Sequence, residues 1–151
     1  MKNDYVINAE TVVVMSVGSS CCKVYELDDC FEVNMSLKEI IELSCNYFGS
    51  SFNGRLEGSK YYLGYNYKLP IIVDEYRDII VFPTKSYESN NNYLISLNQI
   101  KDFEKKNKGI LIYLKNGKNI EIEDSYGIFE NQYLKAQKLL LRLIRIKNTS
   151  L

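Results

Sequence analysis

A chain of 151 residues that is 46% hydrophobic and 25% charged has the size and composition of one globular domain, long enough to bury a sizeable core. Nineteen acids against nineteen bases give a formal net charge of zero, which offers no global case for a nucleic-acid partner. The absence of histidine excludes Ser-His-Asp and Cys-His nucleophiles and leaves only carboxylates, lysines or a bound metal for any catalysis.

Asp4 to Val17 reads as extended structure, with the β-branched run Thr11-Val12-Val13-Val14-Met15 a buried strand. Its start directly after Met1-Lys2-Asn3 is unlike a signal peptide. No run of about 18 apolar residues follows anywhere, so the chain is expected in the cytoplasm without a membrane partner. Lys23–Leu27 and Cys30–Asn34 alternate around Asp28-Asp29 as a hairpin. Ser36-Leu37-Lys38-Glu39 has the form of a capping box. The helix it opens carries Leu37, Ile40, Ile41, Cys45 and Phe48 on one face and stops at Gly49.

A glycine- and serine-rich loop comes next, and Lys60 to Tyr67 then reads as an aromatic strand. Pro70–Val73 and Asp78–Pro83 are two short buried strands around a charged turn, and Ser86–Asn92 is a polar loop. Ser96-Leu97-Asn98-Gln99 again resembles a capping box and predicts a short helix to about Lys106. Asn116-Gly117, between Ile110–Leu114 and Asn119–Glu123, predicts a type I′ hairpin. From Ile128 to about Ile146 a helix places Tyr133, Ala136, Leu139, Leu140, Leu143 and Ile146 on one face. The fold class is therefore α+β, with mixed, mostly antiparallel sheet(s), two shorter helices and a long C-terminal helix in a single domain, 1–151.

Four cysteines, Cys21, Cys22, Cys30 and Cys45, contain no C-x-x-C pair, so they read as buried reduced thiols rather than a metal site. Glu121 and Glu123 share a strand face that reads as solvated, and no enzyme motif or cofactor signature is present. Gly49-Ser50-Ser51-Phe52-Asn53-Gly54-Arg55-Leu56 approaches the phosphate-loop pattern G-x-x-x-x-G-K-[ST]. Arginine replaces its lysine, leucine its hydroxyl, and a strand is expected where the helix should begin, which argues against nucleotide binding. The stretch remains either a solvated loop or a phosphate contact built on Arg55.

Charge is unevenly spread. Residues 1–42 hold eight acids and three bases, a net of −5, while residues 131–151 hold five bases and no acid, a net of +5. The stripe Lys135, Lys138, Arg142 and Arg145 on the last helix suits a solvated face, a nucleic-acid backbone or an amphipathic membrane or partner helix.

Ser44-Cys45, Phe48-Gly49-Ser50-Ser51-Phe52, Gly54-Arg55, Gly58, Pro70-Ile71, Val73-Asp74 and Phe82-Pro83-Thr84 occur here in one order. With Asn116-Gly117-Lys118, Ser125-Tyr126 and Phe129-Glu130-Asn131-Gln132, this pattern resembles the bacterial competence transcription factor (ComK) family from about Cys30 to Leu140. The resemblance implies a nucleoid-associated activator of DNA-uptake genes that binds paired A/T-rich boxes of double-stranded DNA in the minor groove. It further implies a homodimer or higher homo-oligomer, contact with RNA polymerase and control by a proteolytic adaptor. Longer members continue beyond the point where this chain ends, so it resembles a short member without the C-terminal extension. On this basis Arg55 is the candidate groove residue, with Ser50, Ser51, Asn53, Gly54 and Lys60 around it. Lys85, Lys135, Lys138, Arg142 and Arg145 are candidate outer phosphate contacts. Two alternatives stay open: the Gly-Ser-Arg stretch could brace a dimer, and the chain could be an interaction module that titrates a full-length regulator.

Overall fold

In a computed structural model, described over residues 1–150, the expected α+β class is realised as two antiparallel sheets and three helices; Leu151 lies outside the described residues. The larger sheet is built from β1 (Thr11–Ser16), β2 (Cys22–Glu26), β3 (Cys30–Val33), β4 (Ile71–Asp74), β5 (Ile79–Pro83) and β6 (Tyr93–Ser96) in the order β3-β2-β1-β6-β5-β4. The smaller is the meander β7 (Ile100–Lys106), β8 (Gly109–Leu114), β9 (Asn119–Ile122).

Alternation along the strands fills two cores. Val14, Ile71, Val73, Ile79, Val81 and Leu94 pack with α1 (Leu37–Tyr47) and with Phe52 of α2 (Phe52–Leu63). Val13, Ile72, Ile80, Phe82 and Ile95 pack in the other cluster, with the small sheet and α3 (Tyr126–Lys147). Because β4 and β5 are covered on both faces, they read as unbroken apolar runs although their pairing is antiparallel.

The first helix follows its local signals. Ser36 Oγ accepts from the Glu39 amide at 3.1 Å and Glu39 Oε1 from the Ser36 amide at 3.0 Å, completing the capping box. Gly49, at φ 81°, ends it in a Schellman arrangement, with the Ser50 amide on the Cys45 carbonyl and the Gly49 amide on that of Asn46.

Two elements differ from the sequence expectation. Residues 60–63 belong to α2, not to a strand. Its N-cap is Ser51, whose Oγ accepts from the Gly54 amide at 3.0 Å. Two internal glycines and only three buried residues (Phe52, Ser59 and Leu63) hide the helical period. Tertiary packing supplies the stability instead: Phe52 meets Tyr87 edge-on at 5.0 Å. Conversely, residues 100–106 are strand β7 rather than helix, after a single 3₁₀ turn at Leu97–Gln99. The expected capping box does not form: Ser96 makes no side-chain cap hydrogen bond, and the Gln99 side-chain amide donates instead to the Ala9 carbonyl. Pairing of β7 with β8 then satisfies the backbone.

Two smaller corrections follow. Gly117 alone in the β8–β9 turn has positive φ, so the hairpin is a type I turn closed by a glycine bulge rather than type I′. Cys22 and Cys45 are buried free thiols, but Cys21 is half-buried and Cys30 exposed.

Candidate nucleic-acid interface

The glycine-serine stretch is organised by helix ends rather than by an open loop. Only Ser50 and Ser51 separate the Schellman turn of α1 from α2, so Asn53, Gly54 and Arg55 lie in the first turn of a helix. The Arg55 amide already bonds the Ser51 carbonyl and the Gly54 amide the Ser51 hydroxyl, while those of Phe52 and Asn53 have no acceptor among the described residues. Ser51, Asn53 and Gly54 are exposed and Ser50 is half-exposed. The sequence argument that no helix N-terminus follows this stretch is therefore corrected. The nucleotide-binding pattern still fails, because residues that would wrap the phosphates are already helical and a helix, not a strand, precedes them.

Arg55 lies folded against the protein, its side chain 18% exposed, with Nη1 3.7 Å from Glu75 Oε2. Its Nε is buried without an acceptor among the described residues, so the guanidinium retains unspent donor capacity. Beside it, burial pushes the Cys45 thiol up to about 11 despite the opposing pull of Arg55. The turn that carries Glu75 also presents the exposed Tyr76 and Arg77, and Arg77 is anchored on the buried Asp74 at 2.7 Å.

Lys60 is exposed on the last turn of α2. Lys85 sits 3.1 Å from Asp124, whose side chain is 6% exposed; its charge is spent on fastening the segment after β5 to the start of α3. Lys135 is half-buried and Lys138, Arg142 and Arg145 are exposed, none within ion-pair distance of a carboxylate among the described residues.

The structure brings these two groups together across α2 and α3, which run antiparallel. Lys135 Nζ donates to the Tyr67 carbonyl just beyond the end of α2, while Lys147 at the end of α3 reaches the Tyr76 carbonyl and Asp78 beside Glu75. Sequence reasoning missed Tyr65, Lys68 and Asn131, which line a cleft with Lys135 and Lys138. Nothing local marks Lys68 except a positive φ that only the fold reveals.

The profile described as "ComK protein" matches residues 2–147. The chain belongs to the ComK family. It is 36% identical over 136 residues to the "Competence transcription factor" of Bacillus subtilis (strain 168), an alignment covering 87% of this chain and 71% of the relative. No solved structure matches it. The ComK match spans α1, α2 and the whole of α3. Among the described residues, no cluster of three or more His, Cys, Asp or Glu side chains could hold a metal ion, and no helix is long and apolar enough to cross a membrane.

Proposed function

We propose that this chain is a DNA-binding transcriptional activator of competence genes, acting in the bacterial cytoplasm as an oligomer on paired A/T-rich boxes read through the minor groove. Membership of the ComK family carries the reading, together with the name of the relative from Bacillus subtilis. The surface of the antiparallel α2–α3 pair supports it: four cations of α3 lack carboxylate partners among the described residues, and the amino-terminal turn of α2 offers open amides and the hydroxyls of Ser50 and Ser51. Helix amino termini and small hydroxyls bind phosphate oxygens, and each neutralised phosphate releases counterions.

The minor groove of A/T tracts is narrow and negative, which favours an inserted arginine. In this reading Arg55 leaves Glu75, its largely exposed partner at 3.7 Å, and turns its guanidinium to DNA. Ser50, Ser51, Asn53 and Gly54 position the backbone, with Lys60, Lys135, Lys138, Arg142 and Arg145 outside them. A second reading, a module that associates with a full-length regulator, is favoured by exposed Leu134 (57%), Leu141 (56%) and Ile144 on α3.

Titration against a duplex carrying two A/T-rich boxes, beside a G·C-rich control and over a series of salt concentrations, tests the proposal. The expected result is selective, salt-sensitive binding that weakens in Arg55→Ala with its melting temperature checked. A folded wild-type protein that binds neither duplex refutes the reading and favours the interaction module.

A further inference from the structure

The segment that follows α2 folds back on the first half of α3 and leaves an open cleft of about 480 Å3. Three ammonium groups line it, from Lys68, Lys135 and Lys138, with the amides of Asn131 and Gln132, and no carboxylate is among its lining residues. Nor does any of the three lysines pair with a carboxylate elsewhere among the described residues. Lys68 Nζ donates to the Thr84 carbonyl at 3.4 Å and Lys135 Nζ to the Tyr67 carbonyl at 3.2 Å, which leaves N–H donors on each. Lys135 and Lys138 share the ring of Tyr65, at 5.0 and 5.5 Å from its centroid.

This concentration of positive charge is under tension. Burial, and then the neighbouring charge of Lys68, hold Lys135 below the usual lysine range. An anion in the cleft would offset the repulsion between the lysines and favour the charged form of Lys135. A carboxylate supplied by the protein would do so as well, but the fold provides none there.

We infer that the Lys68–Lys135–Lys138 cleft is a phosphate-binding site, whose occupant is a backbone phosphate of the bound duplex. The inference rests on the DNA-binding reading and gives it a second anchor, distinct from the amino-terminal turn of α2. Helix α2 has 12 residues and so spans roughly 18 Å between the two, less than one duplex turn of about 34 Å. One duplex can therefore touch both. Tyr61, 85% exposed on α2, and Tyr67 stand nearby as further contact surface.

The test compares wild type with Lys138→Gln and with the double variant Lys68→Gln/Lys138→Gln; Lys135 is kept because its ammonium ties down the Tyr67 carbonyl. Each is titrated with the A/T-box duplex and the G·C-rich control over a series of KCl concentrations. Loss of one phosphate contact predicts a shallower dependence of log K on log[salt], by about 0.9 in slope. Affinity falls roughly tenfold at low salt, by a similar factor on both duplexes, because a phosphate contact carries no sequence information. Wild type that binds DNA, with folded variants of unchanged slope and affinity, overturns the inference and leaves the DNA-binding reading intact. Should the double variant misfold, Lys138→Gln decides alone, since Lys138 is exposed and its side chain makes no hydrogen bond among the described residues.

If wild type binds neither duplex, the DNA-binding reading fails separately, and inorganic phosphate judges the site. Saturable shifts of the Lys135 Cε resonance, lost in the double variant, then support a phosphate site with a source other than DNA. An unmoved resonance overturns it.

Discussion

Gln132 is the buried hinge-pin between α3 and the segments that carry the cationic cleft. Its side-chain amide donates to the Lys68 carbonyl at 2.7 Å and to the Pro83 carbonyl at 2.8 Å, and only 1% of the residue is exposed. Gln132→Leu keeps the size of the side chain and removes both donors. Each buried carbonyl left without a partner costs about 1–3 kcal/mol, with the partly buried Lys68 carbonyl at the lower end. Leucine recovers a part of this through its greater apolar burial, so the net loss is about 2–3 kcal/mol. In urea, with a slope of about 2 kcal/mol/M, the midpoint falls by roughly 1–1.5 M. Equilibrium unfolding followed by far-UV circular dichroism measures it, with an unchanged slope showing that stability alone has moved. A midpoint within about 0.3 M of wild type would refute the reasoning, because the two carbonyls would then have found water or another donor.

Four further outcomes follow from individual contacts. Ser51→Ala removes the cap of α2 and costs about 1 kcal/mol in the same unfolding assay, and Ser51→Gly costs only a few tenths. Lys85→Ala leaves Asp124 buried without its cation; it lowers the melting temperature while leaving the salt slope of DNA binding as in wild type, and a shallower slope would return Lys85 to the interface. Gly109→Ala drives a Cβ into the Ile122 carbonyl oxygen, so β8 and β9 must part; a loss above about 2 kcal/mol is expected, and a stability within about 0.5 kcal/mol of wild type, roughly the scatter of harmless surface changes, would contradict the packing. Toward a thiol reagent at pH 8, exposed Cys30 reacts first. Cys22, whose thiol burial pushes up to about 12, and Cys45 react only on unfolding, so fast labelling of all four would be incompatible with the fold.

The candidate site divides along the same physical line as the fold. Ser50, Ser51, Asn53 and Gly54 stand out in sequence because small residues cluster there, and the structure does leave them near the surface. The state of Arg55 was not legible. Its partner Glu75 lies on the turn between β4 and β5, and nothing in residues 49–56 encodes that meeting. Lys85 likewise looks like a free cation until the fold sets Asp124 against it.

What the sequence determined by itself were the features whose causes lie within a few residues. The capping box of α1, its glycine stop, the Asp28-Asp29 hairpin, the apolar runs of β1, β4 and β5 and the long amphipathic α3 all depend on near neighbours. Tertiary structure alone decided α2 and β7. The first is a helix with a faint period, held by Tyr87 and by packing on α3; the second is a strand whose apparent capping box at Ser96 and Gln99 does not form, the Gln99 side-chain amide being held by the Ala9 carbonyl. It also decided that Lys68 meets Lys135 and Lys138, since residues some seventy positions apart come together only when α3 docks beside α2 and Gln132 holds the intervening backbone.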